Sequence, residues 1–126
     1  MAETYLLNIF LLGSRTIRIG QLGRFFFRKG HYVYVGSAKK NFHQRINRHL
    51  REKKKMYWHV DYLLQYARVT HVWSCDVAEE RAADILSATM RSPVLHFGAS
   101  DKRSESHLFY GALNQHIPGL TLKRVR

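Results

Sequence analysis

Gly30-His31-Tyr32-Val33-Tyr34-Val35-Gly36-Ser37-Ala38 is the stretch on which the fold turns. Aromatic and β-branched residues alternate through it, which suits a pleated strand better than a helix. Residues 31–36 therefore read as a strand with Val33 and Val35 on one face and Tyr32 and Tyr34 on the other. Working backwards, Lys29-Gly30 turns the chain and residues 24–28 form a short strand. Gly20 and Gly23 break it from residues 16–19, where Ile17 and Ile19 alternate with Thr16 and Arg18. Gly13-Ser14 is another turn. Tyr5 to Leu12 is apolar with little alternation, as expected of a strand buried on both faces.

Working forwards, Asn41 is a favoured helix cap. Phe42, Ile46, His49 and Leu50 follow at helical spacing, so a helix runs to about Lys54. A second helix spans about Tyr57 to Ala67, with Trp58, Tyr62 and Tyr66 four apart. Val69 to Cys75 is a strand. Asp76 caps a third helix from Val77 to about Arg91, stopped before Pro93. Val94–Phe97, His107–Tyr110 and Leu120–Val125 suit short strands. The hairpin-like start implies antiparallel pairing. The fold class expected is α+β, a small central antiparallel or mixed sheet flanked by helices.

The chain has 126 residues and a formal net charge of +12. Between Arg15 and Lys55 lie thirteen basic residues and a single acid, Glu52, so this third of the chain carries the entire excess. At this length one domain with a real core is expected. Apolar residues make up 45%, which excludes a disordered basic tail. Cys75 is the only cysteine, which excludes a disulfide framework or a cysteine-rich zinc site. The apolar run near the start is too short for a membrane span of about 20 residues. Residues 1–4 lack the basic leader of a signal peptide. The expectation is a cytoplasmic protein with an anionic partner and no membrane.

A charge run is ordinarily a solvated face. Here it follows a Tyr-rich strand, and Arg45, Arg48 and His49 are helical neighbours. Guanidinium forks match phosphate oxygens. Lys39, Lys40, Arg48, Lys53 and Lys54 are the candidate nucleic-acid contacts. His59 and Asp61 are two apart and diverge on a helix, so a structural role weighs equally with a supporting one. Ser106-His107 suggests a nucleophile and base, but adjacent residues rarely reach that geometry.

Tyr34-Val35-Gly36-Ser37-Ala38-Lys39, followed by Phe42, Arg45, Arg48 and His49, resembles the second half of the GIY-YIG nuclease motif and its first helix. Thr4-Tyr5-Leu6 then stands as the first half, with Thr4 where glycine is usual. The chain is similar to a clade of small archaeal and bacterial members through three blocks, Gly30 to Ala38, Trp58 to Leu63 and Phe97 to Phe109. Twenty-eight residues separate Tyr5 from Tyr34, more than in compact members. The resemblance implies one domain over 1–126, with a hairpin insert at 14–31 and a C-terminal extension at 93–126.

It also implies a metal-dependent endonuclease acting on nucleic acid, with DNA favoured. Tyr5, Tyr34, Arg45 and His49 would be catalytic. Glu80 would be the sole protein ligand of Mg²⁺ or Mn²⁺, with Glu79 as runner-up. The alternative is a non-catalytic DNA- or RNA-binding module on the same fold. A membrane- or ribosome-binding protein is a third class.

Overall fold

The computed structural model describes residues 4–38, 41–51, 54–98, 106–113 and 117–126. Strand β1 (Thr4–Leu11) lies at the centre of a five-stranded sheet. Around it are β4 (Gly30–Ser37), β5 (Arg68–Cys75), β6 (Leu108–Tyr110) and β7 (Leu122–Arg124), in the order β6-β4-β1-β5-β7. Every pairing is antiparallel. β2 (Arg15–Arg18) and β3 (Arg24–Phe27) pair separately as a hairpin, joined by a 3₁₀ turn at Gly20–Leu22. The helices are α1 (Phe42–Leu50), α2 (His59–Leu63) and α3 (Glu79–Ser87).

The sheet has a core on each face, which is why β1 scarcely alternates. Tyr5, Leu7, Ile9, Tyr32 and Tyr34 pack with Ile46 of α1, Val60 and Leu63 of α2, and Ile17 and Phe27 of the hairpin. Leu6, Val33, Val35, Trp73 and Cys75 pack with Ala82, Ala83 and Leu86 of α3. The tyrosine face of β4 is therefore interior, like its valine face. Removing a fully buried Leu such as Leu7 costs about 2–5 kcal/mol in cores of this kind.

Three helix expectations are corrected. α1 ends at Leu50, four residues early, because Lys54 Nζ caps the carbonyls of His49 (2.6 Å) and Arg48 (3.4 Å). Asn41 precedes it in the left-handed conformation (φ 59°) with no side-chain cap bond. α2 is only five residues, its start fixed by Asp61 Oδ2 accepting the backbone N–H groups of Tyr57 and Trp58, each at 2.8 Å. α3 begins at Glu79 and ends at Ser87, with Ala78 rather than Asp76 at its cap. Residues 94–97 are a turn, not a strand, with His96 at φ 67°. Val94 and Phe97 are apolar because they fill the first core, without any ladder. Among the described residues no helix is long and apolar enough to cross a membrane.

Candidate active site

The antiparallel register explains how residues far apart in sequence meet. Thr4 pairs with Ser37 on one side and Cys75 on the other, so β1 begins where β4 and β5 end. α1 follows the end of β4 and α3 follows the end of β5. Both helices thus start over the same end of the sheet. Thr4 Oγ1 donates to Val77 O (2.5 Å) and ties the start of β1 to the turn that leads into α3.

A cleft of about 570 Å³ opens there. Tyr5, Tyr34, Arg45, His59 and Glu79 line it, with Ser37, Gly36 and Gly98 contributing small or backbone surfaces. Tyr5 lies opposite Gly36 and Tyr34 opposite Leu7, so the two tyrosines are diagonal neighbours on one face. The intervening residues loop out as the hairpin, which closes the 28-residue gap. Gly36 is required at its position: a Cβ there would overlap the Cζ and hydroxyl of Tyr5.

Arg45 is held by two neighbours. Its Nη1 donates to Ser37 O (2.7 Å), and its guanidinium lies 4.9 Å from the Trp58 ring centroid. Its charge also bears on the Tyr5 phenol nearby. Tyr5 Oη is in turn 2.7 Å from His49 Nε2. Burial raises the Tyr5 phenol well above its usual range, and nearby Tyr34 adds to this, while Arg45 opposes it. Burial likewise raises Tyr34, with Glu79 and Asp61 adding to the effect. His49 is driven down to about 4, chiefly by burial. Both rings of the Tyr5–His49 pair are therefore neutral near pH 7.

His49 is 3% exposed and does not line the cleft; it meets the site through the Tyr5 hydroxyl and, edge-on, through the Tyr34 ring. His59, by contrast, does line it. Its Nδ1 accepts the Gly98 N–H at 2.8 Å, and burial lowers its pKa. The proton of the neutral ring therefore resides on Nε2, which makes His59 a hydrogen-bond donor and not a base.

The two candidate glutamates separate clearly. Glu79 lines the cleft, with Oε1 accepting from Ser37 Oγ at 3.1 Å. Glu80 is not among the lining residues, and its Oε2 lies 3.7 Å from His107 Nε2. Of the two carboxylates expected as metal ligands, Glu79, the runner-up, is thus the one on the cleft, and Glu80 lies beside His107. His107 is fully buried, and its Nδ1 lies 3.5 Å from Glu79 Oε2, so it stands behind both carboxylates. Ser106 Oγ bonds the backbone of Leu108, so no Ser–His pair exists. Among the described residues no group of three or more His, Cys, Asp or Glu side chains gathers to hold a metal.

Two expected nucleic-acid contacts are committed elsewhere. Arg48 grips Asp61 with both η nitrogens, at 3.0 and 2.9 Å, and donates to Lys55 O. Lys54 caps α1. Lys39, Lys40 and Lys53 lie outside the described residues.

A sequence model for a domain of unknown function, DUF123, matches residues 4–125. The chain belongs to the DUF123 family. No curated protein and no solved structure matches it. In this DUF123 domain, sequence reasoning gave no cleft position to Tyr57 or Trp58, and weighed His59 as either a structural or a supporting residue; all three line the cleft. The signal was present in the block Trp58 to Leu63, where the i, i+4 aromatic spacing was read as a helix stripe. The chain there is extended up to Trp58, so Tyr57 and Trp58 project from a loop edge.

Proposed function

We propose that this DUF123 domain is a metal-dependent phosphodiesterase acting on nucleic acid, built on a GIY-YIG-like fold. One observation carries the reading: Tyr5, Tyr34, Arg45 and Glu79, supplied by β1, β4, α1 and α3, line a single cleft. These are the residue types that phosphodiester hydrolysis needs: a fixed cation, ionisable hydroxyls and a carboxylate.

The donor set in the cleft fits a hard divalent cation. Mg²⁺ is commonly held by one or two carboxylates, several waters and substrate phosphate oxygens. Glu79, steadied by Ser37 Oγ and standing beside His107, supplies the carboxylate. When bound, Mg²⁺ or Mn²⁺ supplies Lewis-acid neutralisation of phosphate charge and cancels the Glu79 field that raises both tyrosines.

The remaining roles belong to the chain. Arg45, held by Ser37 O and the Trp58 ring, presents its cation to the phosphate oxygens as charge builds at phosphorus. Tyr5, whose O–H donates to His49 Nε2, offers its oxygen to the attacking water and orients it, while phenol and imidazole both keep their neutral forms. Tyr34 keeps its proton near pH 7 and is placed to donate to the leaving oxygen. His59 donates through Nε2 to a phosphate oxygen, locked in that role by Gly98.

The test is direct. Purified domain is incubated with single-stranded, duplex and branched DNA and RNA, in Mg²⁺, Mn²⁺ or EDTA, beside Glu79→Gln and Arg45→Ala. Metal-dependent cleavage lost in both variants supports the reading. Metal-independent binding without cleavage under any condition would make the domain a binding module. Cleavage undiminished in both variants would sink the site.

A further inference from the structure

Beside the cleft is a second hollow of about 370 Å³. Arg45, Tyr57 and Trp58 line both, so they form the shared wall. The second hollow is completed by Asn41, Gln44, Arg48 and Arg51. Arg48 is committed to Asp61, but Arg51 is an exposed cation at the end of α1.

Tyr57 is the unusual member. It is 74% exposed, whereas the sheet tyrosines Tyr5, Tyr32 and Tyr34 are buried. It is nevertheless anchored. Asp61 Oδ2 accepts its backbone N–H, and Trp58 braces its ring at right angles, with centroids 4.7 Å apart and planes at 87°. Arg45 occupies the Trp58 ring, and Tyr57 remains as the exposed aromatic surface. A flat ring beside an exposed guanidinium and two amide-bearing residues has the chemistry of a nucleotide site: ring for base, cation for phosphate, amides for base edges.

We propose that this hollow is a nucleotide subsite, in which Tyr57 stacks the base of the nucleotide next to the scissile phosphate while Arg51 holds that nucleotide's own phosphate. Bases inside a duplex are stacked on both faces and cannot reach such a ring without unpairing. The substrate therefore carries an unpaired nucleotide beside the cut. The proposal rests on the nucleic-acid reading above and narrows its substrate class.

The test measures binding in EDTA, so that it is independent of cleavage. The probes are a fluorescent single-stranded oligonucleotide and the duplex of the same sequence, in DNA and RNA forms, titrated at several salt concentrations. Tyr57→Ala weakens single-strand affinity about tenfold and leaves duplex affinity within about twofold. Tyr57→Phe restores it, because the ring and not the hydroxyl stacks. With 2-aminopurine in the strand, stacking quenches its fluorescence in the native domain and in Tyr57→Phe, but not in Tyr57→Ala. Arg51→Ala lowers the salt slope by about one contact. Equal weakening on both probes, no weakening on either, or binding only to anionic vesicles overturns the subsite. A domain that shows the Tyr57 signature but never cleaves refutes the phosphodiesterase reading and leaves the subsite standing.

Discussion

Tyr5 Oη lies 2.7 Å from His49 Nε2, a buried bond that joins the start of β1 to the last turn of α1. Burial holds the phenol protonated and the imidazole neutral, so the phenol donates and the imidazole accepts. The bond links packing to chemistry, because Tyr5 faces the cleft while His49 stands behind it. The His49 Nδ1 is also buried and has no hydrogen-bond partner among the described residues. Tyr5→Phe would strand the second ring nitrogen as well, at a cost of about 1–3 kcal/mol. Cleavage should fall by about 10²–10⁴-fold, the range for losing a positioned proton donor or acceptor. Nucleic-acid affinity in EDTA should stay within about twofold. Chemical denaturation, cleavage and anisotropy measured on one preparation check all three, and full activity in Tyr5→Phe would remove Tyr5 from the mechanism.

The same pair sets an acid limit on stability. The His49 pKa falls from 6.5 to about 4 on folding, chiefly through burial. Below 6.5 the unfolded chain takes up a proton that the folded domain refuses, so stability is lost as pH falls from 6.5 towards 4. At 1.36 kcal/mol per pKa unit the loss is about 3 kcal/mol, complete just below pH 4. His59, lowered by burial, adds in the same direction. Urea midpoints at pH 7.5, 5.5 and 4 should therefore decline steeply, and His49→Gln should flatten most of the decline. An unchanged slope in His49→Gln would show that another group controls it.

Glu79 and Glu80 give the sharpest comparison within the site. Only Glu79 lines the cleft. Glu79→Gln should abolish cleavage at ordinary Mg²⁺ concentrations, with partial recovery when the metal is raised. Glu80→Gln should keep activity within about tenfold. The reverse pattern would return the ligand position to Glu80. His107→Gln should raise the metal concentration needed for half-maximal cleavage, because His107 stands 3.5 Å from Glu79 Oε2.

The strands were legible because their information is local. Alternation in Tyr32 to Val35 and the unbroken apolar run of β1 each describe how one element meets its own surroundings. The helix ends were less legible because single side chains close to them set them. Lys54 caps α1 from four residues beyond its end, and Asp61 opens α2 from its third position without the Ser or Thr at the cap that would complete the usual sequence signature. Val94 and Phe97 imitate a strand because burial needs apolar residues whether or not a ladder forms. Tyr5, Tyr34 and Arg45 were found through a motif. The choice between Glu79 and Glu80 could not be made from sequence, since adjacent helical residues point about 100° apart and only packing selects one. The partner of Arg48 was hidden for a similar reason, lying thirteen positions away on another helix.

That partner turns part of the basic segment into a structural element. Asp61 is fully buried, receives both η nitrogens of Arg48, and accepts the backbone N–H groups of Tyr57 and Trp58. Burial alone would raise its pKa, but the Arg48 and backbone hydrogen bonds outweigh it and hold the carboxyl below its usual value. Arg48→Ala leaves a buried charge without its cation, which costs about 3–5 kcal/mol in comparable sites. Arg48→Lys should recover little, because a single ammonium cannot reproduce the two-pronged contact together with the bond to Lys55 O. The salt dependence of nucleic-acid binding supplies the deciding measurement. Measured on folded protein at low temperature, its slope should be unchanged in Arg48→Ala. A stable Arg48→Ala domain with a shallower slope would mean that Arg48 leaves Asp61 to grip phosphate, and that its cation belongs to the binding surface after all.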